Sequence, residues 1–507
     1  MREGRSVDSA KTWTFSCAAI ALLFCLVSLR GDEPNDNRML DFNVVAVDDR
    51  GQPVNDLTSS EFQVTDAGKR QQIAFFRHND DKLRQAPALG PNEFSNRSGV
   101  TVPHVTLVLF DLLNERFSTR GITANQIIHD LENTESADSL YLYLLTLDGR
   151  TFAVHGLTGP EGQGREGNDG PWTRGIKPLL DGALRTVLQL KPVDIAVDVN
   201  VRVQVTLNAL DAIALQLSMF PGRKNVIWVT DGVPLELGPH RSDTGDYVDF
   251  TPQLRLLADV FERYETAIYP VQQIMLGSPD NVGGGNGLES RATLEELAGL
   301  TGGRPNSGKD IGAAVRQAVT DVRTSYQLGY YAQPRNWDGK FHKLRITCTR
   351  KGVRIQARTG YYAWPEPAGA RAQRAIEAAA STGFDAAEIG VRGTATPDPQ
   401  NSRQVHMAWR IDGNDIVLAR DGDRYSGQLR LAVIQYQPDG RIAASGMLPI
   451  DIHYSAAERD SSYKEGIAFT KDVMLEKDVN KLRFVVFDRG SNAVGSLTVP
   501  VGAAPRK

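Results

Sequence analysis

The stretch VTLVLFD, Val105 to Asp111, is an unbroken apolar run that stops at a carboxylate. A second run of the same form, NVIWVTD, lies at Asn225 to Asp231. Apolar runs without alternation are typical of strands that are covered on both faces, as in parallel sheets. Segments of helical period separate the runs, and this order predicts an α/β fold with a mostly parallel sheet between helices.

The ends of these two runs are the first candidates for a functional site. Ligands of such sheets bind at the carboxyl ends of the strands, where the strand order reverses. Asp111 and Asp231 each stand at the carboxyl end of a predicted strand. The sequence therefore predicts that both carboxylates lie on the side of the sheet where a site forms.

Length and charge set limits on the function. A chain of 507 residues is too long for one hydrophobic core, so two to four domains are expected. The formal net charge is −4, with 57 basic and 61 acidic residues spread along the chain. No stretch forms the basic stripe that nucleic acid requires, so nucleic acid is excluded as a partner.

The first residues have the layout of an export signal. Arg2, Arg5 and Lys11 precede the apolar run Phe15 to Leu29, and a polar segment follows. The run is short for a membrane-spanning helix, which needs about 20 apolar residues. We expect a secreted, periplasmic or cell-envelope protein. The alternative is that the segment stays uncleaved as a signal anchor, which would then be the only part of the chain that contacts the membrane.

Changes of pattern along the chain divide it into six regions. Residues 38–80 alternate as a small antiparallel β unit, and the final region has regularly spaced strands typical of a β-sandwich. The predicted regions are a signal peptide or anchor (1–31), a small β unit (38–80), a linker (81–101), the α/β region (102–364), a helical linker (365–385) and a C-terminal β-sandwich-like domain (386–507).

Several sequence motifs of the chain, and the order in which they occur, resemble those of one protein family. They include LFDLLNERF, FPGRKNVIWVTDG, LEELAGLTGGR, YQLGYY and WDGKFHKLRITCTRKGVRIQARTGYY. Together they resemble the von Willebrand factor type A-related (VWFA-related) proteins of the Acidobacteria type, over roughly Asp41 to Trp364. The resemblance implies a Rossmann-like fold for the α/β region and a role in binding or adhesion.

The resemblance also implies a metal-ion-dependent adhesion site. In the wider family this site has D-x-S-x-S after the first strand, a threonine before a later helix and an aspartate after the fourth strand. Asp111 matches the first aspartate, Thr206 the threonine and Asp231 the last aspartate. The implied cofactor is Mg²⁺ or another divalent cation, and an acidic side chain of a protein partner would complete its coordination.

The two serines of the motif are missing from this chain. Leu113 and Glu115 stand in their places, while Asn114 and Ser118 lie near enough to substitute for them. Magnesium keeps several waters, so one or two carboxylates and a hydroxyl can suffice. The alternative for the carboxylates is that they cap helices or bond loop amides, and for Thr206 that it is a plain helix N-cap.

Other chemistry has weaker support in the sequence. The stretch GGRPNSGKD, Gly302 to Asp310, is similar to a phosphate-binding loop. However, Asp310 stands where such a loop needs a hydroxyl, and a predicted helix precedes the motif where a strand is needed. We therefore predict that Asp310 begins a helix instead. Cys348 is predicted to be a core thiol.

No nucleophile motif is recognisable, and the chain is predicted not to be an enzyme. The sequence thus predicts an exported protein-binding or adhesion module with a degenerate metal site. The alternatives are a metal-free scaffold of the cell envelope and, third, an enzyme with an unrecognised site.

Overall fold

The chain is a mixed α/β protein with one mostly parallel sheet, as the sequence predicts. The computed structural model describes residues 38–78, 89–97, 105–115, 119–133, 140–156, 175–188, 199–218, 220, 222–231, 240–241, 247–272, 286–306, 310–332, 337–365, 369–383, 385–401 and 403–501. The predicted export signal, 1–31, lies outside these residues. Within them, no helix has both the length and the apolar character needed to cross a membrane.

Eight α-helices occur in the described residues. They are α1 (Arg120–Glu132), α2 (Ile176–Leu188), α3 (Val199–Leu217), α4 (Thr251–Arg263), α5 (Asn286–Thr301), α6 (Ile311–Arg323), α7 (Ala370–Ser381) and α8 (Ala456–Glu465).

The strands of the same residues are β1 (Arg38–Val47), β2 (Phe62–Asp66), β3 (Lys69–Gln71), β4 (Phe75–His78), β5 (Phe94–Ser95), β6 (Val105–Asp111), β7 (Leu140–Leu145), β8 (Thr151–His155), β9 (Lys224–Thr230), β10 (His240–Arg241), β11 (Tyr247–Val248), β12 (Thr266–Gln272), β13 (Ser325–Ala332), β14 (Phe341–Cys348), β15 (Arg354–Gln356), β16 (Gly360–Tyr362), β17 (Val391–Pro397), β18 (Gln404–Ile411), β19 (Ala419–Asp421), β20 (Arg424–Tyr436), β21 (Ile442–Ser455), β22 (Ile467–Met474), β23 (Lys481–Asp488) and β24 (Val494–Pro500).

The central sheet has the strand order β12-β9-β6-β7-β8. All neighbours are parallel except β8, which runs antiparallel to β7. Every residue of β6 is buried, because α3, α4 and α5 cover one face of the sheet and α1, α2 and α6 cover the other. The apolar runs of β6 and β9 are thus explained by burial on both faces.

The strand order reverses between β6 and β9. From β6 the chain passes through α1 to β7 on one side, whereas from β9 it continues through α4 to β12 on the opposite side. Such a reversal leaves a crevice at the carboxyl ends of the two central strands. Asp111 ends β6 and Asp231 follows β9 directly, so both stand at this crevice.

Two four-stranded sheets form a second layer, with the orders β15-β1-β13-β4 and β16-β14-β2-β3. They share one core of residues such as Phe42, Phe62 and Tyr326. Strand β1 pairs along its length with β13, and β2 pairs with β14. The predicted β unit of residues 38–80 is therefore not self-contained: its strands pair with strands of residues 325–362, and the parallel-sheet unit is inserted between them.

The C-terminal region contains two antiparallel sheets that enclose one core. Their orders are β22-β18-β17-β5 and β19-β20-β23-β24, with β21 paired to β20. Trp409 of the first sheet stacks on Phe484 of the second, with ring centroids 4.3 Å apart. Helix α7 packs on the outer face of the second sheet. The short strand β5 pairs with β17, so part of the predicted linker 81–101 belongs to this region.

Buried charged residues connect the parallel-sheet unit to the second layer and to the C-terminal region. Lys224, which has no exposed surface, contacts Glu388 of the C-terminal region at 3.2 Å. Arg358 of the second layer pairs with Glu262 of α4 and donates to the carbonyl of Asp41 at 3.0 Å. Buried ion pairs cost desolvation, so they stabilise a junction only when both partners are in place.

Candidate functional site

The candidate site lies at the crevice between the carboxyl ends of β6 and β9. Asp111 is fully buried there and accepts four hydrogen bonds. The backbone amide of Asn114 donates to Oδ1 at 3.0 Å, and the Asn114 Nδ2 donates to Oδ2 at 2.8 Å. Trp228 Nε1 and the Thr230 hydroxyl also donate to Oδ2, at 3.0 and 3.1 Å. These bonds oppose the burial that raises the pKa of Asp111.

Asn114 connects Asp111 to helix α3. Its Nδ2 donates to Thr206 Oγ1 at 2.8 Å, across 92 residues of sequence. The Thr206 hydroxyl itself donates to the carbonyl of Arg202 at 2.8 Å. Three of the four predicted site residues, Asp111, Asn114 and Thr206, are thus in one hydrogen-bonded chain.

The predicted position of Thr206 at the start of a helix is wrong. Helix α3 begins at Val199, so Thr206 lies inside it, in the third turn. The preceding residues VNVRVQV alternate with β-branched side chains, a pattern that favours a strand. Packing overrides this preference, because Val203 and Leu207 are buried against the sheet. The bond from Thr206 to Arg202 is the one that a mid-helix threonine makes.

Asp231, the fourth predicted residue, makes a separate contact at the rim of the same crevice, the edge formed by the carboxyl ends of β6 and β9. Its Oδ2 accepts from the Thr119 hydroxyl, just before α1, at 3.4 Å. Its carbonyl accepts from Gln272 at the end of β12, at 3.0 Å. No hydrogen bond joins Asp231 to Asp111 in the described part of the chain, although Asp231 follows Thr230, which does bond to Asp111.

Glu115 is a buried acid, and it stands at the position of the second serine in the D-x-S-x-S motif. It is 3 % exposed, and its Oε1 accepts from the Thr123 hydroxyl of α1 at 2.6 Å. Burial, followed by repulsion from Asp231, raises the pKa of Glu115 to about 7. The charge of Asp111 acts in the same direction, so Glu115 lies near both carboxylates.

Two arginines moderate the negative charge of this rim. Burial lowers the pKa of Arg120, and the charges of Glu115 and Asp111 oppose that change. Burial also lowers the pKa of Arg202, with Asp111 opposing. The guanidinium groups of Arg120 and Arg202 thus partly offset the charges of Asp111 and Glu115 when these carboxylates are ionised.

The donor chemistry of the rim fits a hard divalent cation. Such ions take carboxylate, amide and hydroxyl oxygens, and the rim offers all three types. Asn114 Oδ1 and Glu115 Oε2 are buried and make no hydrogen bond of acceptable geometry to any residue that the structure describes. In the described ranges, no three His, Cys, Asp or Glu side chains converge as a metal-binding group. An ion here would therefore need amide, hydroxyl and water ligands besides carboxylates.

Sequence reasoning missed several residues of the site. Trp228 and Thr230 were recognised only as strand residues, and Thr119 and Thr123 were not singled out. One signal was available: Trp228 and Thr230 alternate along β9, which places both on the side of the strand that faces Asp111. Of the motif positions, Leu113 packs in the core and Ser118 lies outside the described residues.

The chain was also compared with known proteins. No family model matches the sequence, and no curated protein matches it.

Proposed function

We propose that the chain is an exported protein-binding or adhesion module, with a von Willebrand factor type A-like, Rossmann-like unit that comprises the parallel sheet and its helices, residues 105–323. In this proposal a weakly held divalent cation occupies the rim formed by Asp111, Asn114, Thr206 and Asp231. The cation attracts an acidic side chain of a protein partner, and this side chain completes the coordination of the cation. The protein acts by binding and not by catalysis.

One observation carries this proposal: Asp111, Asn114 and Thr206 come from two distant parts of the chain and form a hydrogen-bonded chain at the strand-order reversal. Buried polar groups are costly unless they are hydrogen-bonded, and a satisfied buried network of this kind fixes its side chains in one arrangement. When the carboxylates of Asp111, Glu115 and Asp231 are ionised they would attract a cation, and the loaded rim would then attract a carboxylate.

The surface beside the rim supports a protein partner. Ile122 in the first turn of α1 is 54 % exposed. This turn adjoins the site, because Thr119, directly before it, contacts Asp231. The buried part of a protein interface is mainly apolar, so an exposed isoleucine beside the site is suited to contact a partner.

The test is a calorimetric titration of the full-length protein with Mn²⁺, followed by binding of labelled peptides. One peptide has a glutamate between apolar residues, and its matched control has glutamine instead. We expect heat on ion addition and binding of the glutamate peptide that chelator abolishes. Substitution Ile122→Ser should weaken peptide binding without changing ion binding.

A metal-free scaffold of the cell envelope is the second candidate, and the hydrogen bonding of Asp111 favours it. Four donors already satisfy this carboxylate, one of them a loop amide, so it needs no ion to remain buried. Absence of heat in the titration, together with partner binding that is unchanged in chelator, would favour the scaffold.

A further inference from the structure

Asn114 and Glu115 are adjacent in the loop after β6, and each presents one buried oxygen that finds no well-aligned hydrogen-bond partner among the described residues. Asn114 is 7 % exposed and Glu115 is 3 % exposed. Within the described ranges, Asn114 Oδ1 has no hydrogen-bond partner, and Glu115 Oε2 makes no bond of acceptable geometry although the Thr119 hydroxyl lies close by. A buried polar oxygen of this kind needs a ligand such as water or an ion.

The orientation of the Asn114 amide is fixed by its neighbours. Its Nδ2 donates to two acceptors, Asp111 Oδ2 at 2.8 Å and Thr206 Oγ1 at 2.8 Å. Rotating the amide by half a turn would place its oxygen against a carboxylate. Asp111 and Thr206 therefore hold Oδ1 on the side away from themselves.

The Glu115 carboxylate is held in a comparable way. The Thr123 hydroxyl of α1 binds Oε1 at 2.6 Å and leaves Oε2 available. Asp111, by contrast, has three donors on Oδ2 and one on Oδ1. A carboxylate has about four acceptor positions, so Asp111 has little capacity left for an ion.

We infer that the cation is contacted by Asn114 Oδ1 and Glu115 Oε2, and that Asp111 and Thr206 are positioning residues that orient Asn114. This inference rests on the proposed function, and it moves the ion contacts away from Asp111, Thr206 and Asp231. Glu115 thus takes over the position of a missing serine as a charged ligand. Hydration water fills the remaining positions, as hard cations allow.

The experiment is a titration of full-length protein with Mn²⁺, in which electron paramagnetic resonance measures the free ion. Glu115→Gln and Asp231→Asn are the matched pair, because each turns one rim acid into an amide and removes one charge. We expect Glu115→Gln to raise the dissociation constant about tenfold or more and Asp231→Asn to raise it less than about threefold. Glu132→Gln, at the exposed end of α1, should change nothing.

A crystal soaked in Mn²⁺ gives a second readout. The anomalous peak should lie within about 2.5 Å of Asn114 Oδ1 and Glu115 Oε2. Thermal unfolding of each variant shows whether a loss of binding is only a loss of folding.

The outcomes separate this inference from the proposed function. Ion binding that Asp231→Asn weakens as much as Glu115→Gln, or a peak on Asp111 and Asp231, overturns the inference and leaves the proposed function standing. Absence of Mn²⁺ binding by the unaltered protein overturns both.

Discussion

At the scale of single residues, Asp111 could be placed from sequence but its partners could not. An apolar run that ends in a carboxylate predicts the end of a buried strand, and Asp111 ends β6. Its donors Trp228 and Thr230 come from a strand more than a hundred positions away. Their contact with Asp111 depends on which strands are neighbours, and local pattern does not determine strand order.

Replacing Trp228 with phenylalanine tests the bond to Asp111. The variant leaves a buried carboxylate oxygen with one donor fewer, and a hydrogen bond to a charged group contributes about 2 kcal/mol. We expect the free energy of unfolding in urea to fall by about that amount beyond the cost of the lost ring. Trp409→Phe is the control, because Trp409 is buried but its Nε1 has no hydrogen-bond partner in the described part of the chain. Equal losses in both variants would mean that the bond to Asp111 contributes nothing.

At the scale of elements, the sequence predicted a helix start at Asp310 but missed one helix in the α/β region and one in the C-terminal region. Asp310 begins α6 as expected: its side chain accepts from the Ala313 amide at 2.7 Å. The missed helices are α2 and α8. The buried residues Ile176, Leu180, Ala183 and Val187 recur at helical spacing in α2, so a signal was present. Helix α8 interrupts a run of strands, which concealed it.

The capping box of α8 is a second signal that sequence reasoning overlooked. The Ser455 hydroxyl accepts from the Glu458 amide, and the Glu458 carboxylate accepts from the Ser455 amide at 2.8 Å. Ser455→Ala should lower the free energy of unfolding by about 1 kcal/mol, because the first amides of the helix lose a partner. Ser461→Ala, at an exposed position within the same helix, should be neutral or slightly stabilising in the same urea titration.

Two glycines in the parallel-sheet unit should respond in opposite directions to alanine. A Cβ at Gly303 would lie 1.8 Å from the carbonyl oxygen of Ile268 in β12, so the chain after α5 must move away from the sheet. We expect Gly303→Ala to cost about 3 kcal/mol. A Cβ at Gly182 in α2 meets nothing within 4 Å, so Gly182→Ala should stabilise by up to about 1 kcal/mol. Thermal melts of both variants provide the comparison, and a stable Gly303→Ala protein would contradict the close approach.

At the scale of the whole molecule, the buried charges between the layers make stability depend on pH. Burial raises the pKa of Glu265 from about 4.5 to about 7, with Lys224 opposing and Asp41 adding to the rise. The folded protein thus favours the neutral acid. The stability from Glu265 is fully present below about pH 4.5 and is lost as the pH rises through about 7.

Comparing the protein with its Glu265→Gln variant isolates this effect. Between pH 5 and pH 8 we expect the unaltered protein to lose on the order of 2 kcal/mol more than the variant, which cannot ionise. Urea unfolding at the two pH values measures the difference, and Glu132→Gln at an exposed position should behave like the unaltered protein. A variant with the same pH dependence as the unaltered protein would show that Glu265 does not titrate in this range.

Local pattern identified most of the strands but not how they assemble into layers. The alternation in residues 38–80 predicted antiparallel strands, and β1 to β4 are such strands. The later partners of β1, β2 and β4 lie about 250 to 310 residues further on, as in His78 opposite Tyr326 and Val47 opposite Arg354. Pairing over such distances is decided by the shared core, so a unit that seemed local was half of a larger one.

The insertion of the parallel-sheet unit has a consequence for biosynthesis. Strands β1 to β4 leave the ribosome long before β13 to β16, so their apolar faces stay uncovered while more than two hundred further residues are made. Closing so long a loop is slow, and strands that wait for partners are prone to aggregate. A chain of this design benefits from a holdase that shields its amino-terminal strands until the later ones arrive.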